Sequence, residues 1–319
     1  MNWSGGCCAP GSSFPRIRDT AVTAPERFFC ASSARVRGDS MAGTAPNDVV
    51  WVLIEYRGRW PFNSFDGLAL EPDTKALVIA AAQAARARVL LVRRHGRRRR
   101  EGPQRWAVLR HDGSGAHRQL WGSWTQEEDL AEIAAALSRP GELGHPPVLL
   151  VCAHGLHDTC CAVRGRPVGR ALEERWPELV WECSHVGGDR FAANVVIAPD
   201  GVYYGGLDAA SSVATVEGHL ADSIHAEHLR GYTDLLQPQQ AAVAAALERF
   251  GPAGRLDYAV AGTTRHGDRW RIRLTAPPPH PAQIDVELRT YRAPPEQLTC
   301  RAPAPGSVIV YETVSITAE

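Results

Sequence analysis

The 319-residue sequence has no long apolar run, no net charge and no pair of cysteines in C-x-x-C spacing. A membrane-spanning helix needs about 20 consecutive apolar residues, and the richest stretch, ALVIAAAQAARARVLLV, is interrupted by Gln83, Arg86 and Arg88. The first thirty residues are rich in Gly, Pro and Ser and lack the apolar core of a secretory signal. We therefore expect a cytoplasmic protein with no membrane partner.

The charge balance gives no reason to expect a nucleic-acid partner. Lys plus Arg and Asp plus Glu both number 35, so no overall field attracts a polyanion. The one strong basic cluster, RRHGRRRREG at residues 93–102, has no interleaved aromatic residues. We interpret it as a solvated hairpin tip or loop.

Two further absences concern cofactors. The stretch YRGRWPFNSFDG, after the first predicted strand, has only two widely spaced glycines, so it is not the phosphate loop of a flavin or nicotinamide site. Eight cysteines in a reducing compartment are not expected to form a disulfide framework. Four of them lie within 32 residues, from Cys152 to Cys183, which indicates a metal site or redox chemistry.

Apolar periodicity predicts an α/β protein in three segments. Residues 1–27 are predicted to be a disordered tail. An N-terminal α/β domain is expected over 28–142, a thioredoxin-like domain over 143–236, and a helix followed by a small β-rich unit over 237–319.

In the first segment, VVWVLIEY and RVLLVRR have the composition of buried strands on either side of a helix, DTKALVIAAAQAARA. A hairpin is predicted around Asp112-Gly113, and a helix over 125–139 is predicted to open with a Thr125–Glu128 capping box. The second segment shows a strand, a cysteine-rich loop, a helix over about 161–176, a strand, a hairpin and another helix. That is the element order of a thioredoxin-like fold.

The cysteine-rich loop is VCAHGLHDTCC, which holds three of the eight cysteines and two of the twelve histidines. Cys152 is predicted to end a strand. Cys161 is predicted to begin a helix, where free backbone N–H groups and the helix dipole favour a thiolate. Cys160 is its immediate neighbour, so both cannot easily point at one metal ion.

A second loop, CSHVGGD, follows the next predicted strand. Its two glycines exclude a regular helix and allow the backbone to fold closely around a site, so His185 and Asp189 can converge. Two thiolates, an imidazole and a carboxylate provide four ligands, the number needed by tetrahedral zinc and also by a 2Fe-2S cluster. The long C-x8-C spacing mildly favours the bulkier cluster over zinc.

The segments CAHGLHDTCCAVRGRPVGRAL, WECSHVGGDRFAANVVIAPDGVYYG and GTAPNDVVWVLIEYRGRWP resemble the sucrase/ferredoxin-like family of thioredoxin-like 2Fe-2S ferredoxins. The resemblance extends from about residue 30 to 234 and is most specific over 150–206. In that family a C-x8-C pair and an H-x3-H pair hold the cluster. The resemblance therefore implies Cys152, Cys161 and His185 as ligands.

The fourth position departs from the family pattern because Asp189 stands where a second histidine is expected. Asp189 is the preferred fourth ligand. Cys183 is its main rival, since residues 183 and 185 would face the same side of a strand. Residues assigned to cofactor contacts are Gly187, Gly188 and Arg190.

The resemblance implies an electron-transfer protein that docks redox partner proteins, with no residue acting as a catalytic acid or base. The sucrose-cleaving activity in the family's name is not carried over, because no glycosidase-type pair of carboxylates is recognisable. One alternative is a thiol oxidoreductase with Cys160 or Cys161 as the attacking thiolate. Another is a zinc-stabilised binding module.

The remaining soft side chains receive simpler interpretations. Cys30, Cys160 and Cys300 are interpreted as small buried apolar residues. His154 and His157 are interpreted as loop residues or hydrogen-bond donors to the ligands, although either could replace a ligand. Three further histidines, in a helix predicted over HLADSIHAEHL, are placed on the surface without a role: His219, His225 and His228.

Overall fold

The computed structural model describes Met1 and residues 28–96, 102–113 and 117–319. The predicted tail beyond Met1 and the arginine-rich residues 97–101 lie outside the described residues.

The described chain is a mixed α/β structure in which nine strands form one twisted sheet. Val, Ile and Leu dominate these strands, and the central ones are buried on both faces. The strands are β1 (Val50–Glu55), β2 (Arg88–Arg93), β3 (Gln104–Arg110), β4 (Arg118–Trp124), β5 (Val148–Cys152), β6 (Val180–Cys183), β7 (Val195–Ala198), β8 (Val202–Tyr204) and β9 (Leu229–Tyr232). Their order in the sheet is β4-β3-β1-β2-β6-β5-β7-β8-β9.

Six α-helices occur in the described residues: α1 (Cys30–Arg37), α2 (Pro72–Ala84), α3 (Glu132–Leu137), α4 (Thr159–Arg175), α5 (Ala209–Leu220) and α6 (Gln237–Phe250). None of them is long and apolar enough to cross a membrane.

The sheet continues from the first predicted domain into the second. Strand β2 pairs antiparallel with β6, with Val92 opposite Cys183. Strands β5 and β6 run parallel, with Cys152 opposite Cys183. The two halves therefore share one sheet, and the boundary placed at residue 142 remains a prediction. The two loops that carry the predicted ligands follow β5 and β6, so both lie at the edge of the sheet where this parallel pair ends.

The C-terminal segment forms a four-stranded antiparallel sheet, as its alternating apolar residues predict. Its strands are β10 (Ala259–His266), β11 (Arg269–Thr275), β12 (Gln283–Arg292) and β13 (Ile309–Ala318). Ile272, Val286 and Leu288 are fully buried in one core with α6, whose other contacts include β9. Helix α6 thus lies between the two sheets.

Three local predictions differ from the structure. The helix expected over 125–139 is shorter and begins as a 3-10 turn, Glu127–Ala131, that continues into the short α3. Its cap is Asp129, whose carboxylate accepts from the backbone N–H groups of Thr125 and Gln126, so the predicted Thr125–Glu128 box does not form. No prediction was made for helix α1 or strand β9.

The third error concerns the helix predicted over HLADSIHAEHL. Helix α5 ends at Leu220, and the chain then turns at Asp222, which has a φ of 51°, before reaching β9. His219 is buried, not on the surface, because it lies between the Tyr204 hydroxyl (2.9 Å from Nδ1) and the Asp200 carboxylate (2.7 Å from Nε2).

This buried network predicts an acid-sensitive contribution to stability. Burial raises the pKa of Asp200, but the hydrogen bond and charge of His219 and the charge of His117 outweigh it and hold that pKa below its usual range. The native state then binds this proton more weakly than the unfolded chain does. The stabilisation is complete above the unfolded pKa of about 4 and is lost as the pH falls through the lower native value.

We expect Asp200→Asn to lower the free energy of unfolding by about 2 kcal/mol at pH 7, the usual value of a hydrogen bond to a charged group. The difference from wild type should shrink as the pH falls below about 4. Urea unfolding at several pH values measures the loss at pH 7 and its decrease at lower pH. Asp268→Asn, at an exposed position, is the control. An equal loss at every pH would contradict the assigned pKa shift.

Candidate metal centre

The start of α4 sets the directions of the adjacent cysteines. Asp158 is the N-cap, and its Oδ1 accepts the backbone N–H of Cys160 at 2.8 Å. Successive helical residues are turned about 100° from each other. The Cys161 Sγ therefore lies 3.1 Å from Oδ1 of Asp189, whereas the Cys160 Sγ lies 3.4 Å from the Cys300 Sγ.

The second loop follows β6 and depends on its two glycines. Gly187 and Gly188 have φ values of 85° and 76°, in the left-handed region that other residues rarely adopt. A Cβ atom on Gly188 would also lie 2.6 Å from the Arg230 guanidinium. These glycines let the chain turn so that the His185 and Asp189 side chains meet.

The four predicted ligands are brought together. The donor atoms of Cys152, Cys161 and His185 lie within 4.8 Å of one another, and Nδ1 of His185 lies 2.9 Å from Oδ1 of Asp189. Cys152, Cys161 and Asp189 are buried, while the His185 side chain is 21% exposed. We call these four residues the metal centre.

The two thiols of the metal centre share one proton. The hydrogen bond from Cys161 and the contact with His185 outweigh burial and lower the pKa of Cys152 to about 5. The same hydrogen bond and burial raise the pKa of the Cys161 thiol well above its usual value. Within this pair, the Cys152 thiol is therefore the stronger acid and the Cys161 thiol the weaker one.

The other two residues form an ion pair. Burial lowers the pKa of His185, but the nearby Asp189 carboxylate and Cys152 thiolate outweigh burial and raise it to about 9. Burial raises the pKa of Asp189, and its contacts with His185 and Cys161 more than offset this. The metal centre thus holds a thiolate, a carboxylate and an imidazolium, and a cation could take the place of the His185 and Cys161 protons.

One feature of His185 is typical of a metal ligand. Its Nδ1 is buried and lies 2.9 Å from Oδ1 of Asp189, at an ion-pair distance but outside hydrogen-bond geometry. Its position among two thiols and a carboxylate fits an atom that binds a cation.

A family model described as sucrase/ferredoxin-like matches residues 41–231 of this chain. The chain belongs to the sucrase/ferredoxin-like family. All four residues of the metal centre lie inside the matched region. No curated protein and no solved structure matches the chain.

His157 gives this sucrase/ferredoxin-like chain a further donor beside the metal centre. Its ring stacks on His185 at 3.8 Å between centroids, and its Nε2 lies 3.9 Å from Oδ2 of Asp189. Its donor atom forms a second compact group with those of His185 and Asp189. The only sequence signal that pointed to His157 as a donor was its position in the cysteine-rich loop. His154 lies in the same loop, so this signal did not distinguish the two histidines.

The remaining predicted residues make contacts outside the four residues of the metal centre. Cys183 is buried in β6 and belongs to neither compact group of donors in the described residues. Arg190 stacks on Phe191 and lies 3.4 Å, Nε to Oδ2, from Asp39. The sequence analysis missed the buried Arg230, which donates to the carbonyl of Gly187 at 2.9 Å and so holds the glycine turn.

Proposed function

We propose that this protein transfers electrons by means of a 2Fe-2S cluster bound to Cys152, Cys161, His185 and Asp189. The observation that carries the proposal is the convergence of two buried thiols, an imidazole and a carboxylate. Such a cluster, when bound, accepts and returns one electron.

The surrounding chain supports this role in two ways. Trp51, Trp181 and Tyr203 pack in the same core as Cys152 and Cys161, which keeps water from the thiol side. The partly exposed His185 lies on the solvent side, where a partner can approach. Electrons would therefore enter and leave near His185, through redox partner proteins in the cytoplasm.

We also propose a thioredoxin-like domain as the scaffold of the metal centre. The supporting feature is the sequence of elements β5, α4, β6, β7, β8 and α5, in which β5 and β6 are parallel and β7 is antiparallel to β5.

A thiol oxidoreductase is disfavoured by burial. Cys160 and Cys161, the two candidates for an attacking thiolate, are both fully buried. Disulfide exchange requires direct access of a partner sulfur to the thiolate, and neither sulfur atom offers it. The pKa is lowered for two cysteines, to about 5 for Cys152 and about 6 for Cys160, but both side chains are buried.

Anaerobic purification followed by iron and sulfide analysis tests the proposal. We expect about two iron and two sulfide per chain, a red-brown color and a reduced-state paramagnetic signal. Zinc alone, or no metal, at Cys152 and Cys161 would reject the electron-transfer role. Asp189→Ala, purified in parallel, should lose the cluster or alter the signal, and an unchanged signal would assign the fourth position to Cys183 or to a histidine such as His157.

A further inference from the structure

Three cysteines that are distant in sequence meet on the other side of the start of α4. The Cys160 Sγ lies 3.4 Å from the Cys300 Sγ, which lies 3.6 Å from the Cys30 Sγ. The carboxylate oxygens of Asp158 are 3.7 and 3.8 Å from the Cys30 Sγ. We call Cys30, Asp158, Cys160 and Cys300 the second thiol cluster.

The spacing of these atoms fits one tetrahedral ion. With Zn–S bonds of about 2.3 Å and Zn–O bonds of about 2.1 Å, neighbouring sulfur atoms are about 3.8 Å apart, and sulfur and oxygen about 3.6 Å. All four donor atoms of the second thiol cluster lie within 4.8 Å of one another.

The backbone holds the donors in place. Oδ1 of Asp158 accepts the N–H of Cys160 at 2.8 Å, and Oδ2 accepts the N–H of Cys300 at 2.7 Å. The N–H of Cys30 points at the Cys300 sulfur at 3.5 Å. Each carboxylate oxygen keeps a lone pair, so Asp158 can orient the cysteines and also bind an ion.

Burial and charge both suit a bound cation. Cys30, Asp158 and Cys160 are fully buried, whereas Cys300 is partly exposed and leaves a route for an ion to enter. Three thiolates and a carboxylate around a divalent ion carry a net charge of about −2, from the ligand charges alone. Nearby arginines offset it: Arg35 interacts with the charge of Cys160, and Arg37 and Arg190 with that of Cys30.

The second thiol cluster is separate from the metal centre. It uses Cys160, and the metal centre uses Cys161, which faces the other way. Asp158 and Cys160 lie inside residues 41–231, the region that matches the family, whereas Cys30 and Cys300 lie outside it. The complete set of four donors is therefore not contained in the family match.

We propose that the second thiol cluster binds one structural zinc ion through the three cysteine sulfurs and Asp158. The ion would join the start of α1, the start of α4 and the loop between β12 and β13. Thiolate-rich tetrahedral sites select zinc, and closed sites of this kind stabilise the fold without redox chemistry. The interpretation of these cysteines as small apolar residues is then replaced by a role in metal binding.

Zinc analysis of the full chain, expressed with added zinc, tests the proposal. We expect about one zinc per chain in the wild type, as a mononuclear site requires. Cys300→Ala should contain at least tenfold less zinc and keep its iron content. Cys183→Ala, which changes a buried cysteine outside both sites, should keep its zinc. The same comparison in the Cys152→Ser/Cys161→Ser chain removes any zinc bound at the metal centre, so the loss on Cys300→Ala can be read whether or not the 2Fe-2S proposal holds.

A second measurement covers the case in which Cys300→Ala does not fold. Co²⁺ added to the Cys152→Ser/Cys161→Ser chain should produce the visible bands of a tetrahedral thiolate complex, and further substitution of Cys300 by serine should remove them. Equal zinc in wild type and Cys300→Ala, absence of both zinc and Co²⁺ bands, or a disulfide among these cysteines after anaerobic purification would overturn the proposal.

Discussion

Cys161→Ser is expected to remove the 2Fe-2S cluster almost completely, from about two iron per chain to less than a tenth of that. Serine keeps the size of the side chain, but its hydroxyl is a far weaker acid than a thiol and provides no soft anionic ligand. The Cys161 sulfur lies beside Cys152 and 3.1 Å from Asp189, so its loss removes one of the two thiols of the metal centre. Iron and sulfide analysis with visible absorption measures the loss.

The control for this experiment is Cys183→Ala. Cys183 is as buried as Cys161 and lies opposite Cys152 in the sheet, but it belongs to neither group of donors in the described chain. Its iron content should stay at the wild-type value. Full iron in Cys161→Ser would refute the assignment and direct attention to the three thiols of the second cluster.

Asp189→His is expected to raise the reduction potential of the cluster by about 100 mV or more. Histidine-ligated 2Fe-2S centres likewise have higher potentials than all-cysteine ones. The substitution replaces an anionic oxygen ligand with a neutral imidazole, so the oxidised cluster carries one negative charge fewer. Less negative charge makes the added electron more favourable. Redox titration monitored by paramagnetic resonance measures the shift.

A matched variant separates ligation from general electrostatics. Asp39→Asn also removes one negative charge, but Asp39 pairs with Arg37 and Arg190 and is not a donor of the metal centre. Its effect on the potential should be several-fold smaller. An Asp189→His cluster with an unchanged potential would show that Asp189 is not a ligand, and His157, stacked on His185, would become the fourth ligand to test.

Local pattern alone was sufficient for most elements, whereas the choice of ligands also drew on the resemblance to the family. Helices α2, α4, α5 and α6 and the hairpin of β7 and β8 follow from apolar periodicity and turn chemistry, which act over a few residues. The positions of the cysteines and of the glycine pair placed Cys152, Cys161, His185 and Asp189 in two loops that follow neighbouring strands. Neighbouring parallel strands ending at one edge then bring these residues together.

Contacts between segments that are distant in sequence became apparent only in the tertiary structure. It joined β2 to β6 in one sheet, buried His219 against Asp200, and stacked His157 rather than His154 on His185. Above all, it brought Cys30 and Cys300, 270 positions apart, to Cys160. No spacing rule reaches across such a distance, because the meeting of these side chains depends on tertiary contacts among the start of α1, the start of α4 and the loop between β12 and β13.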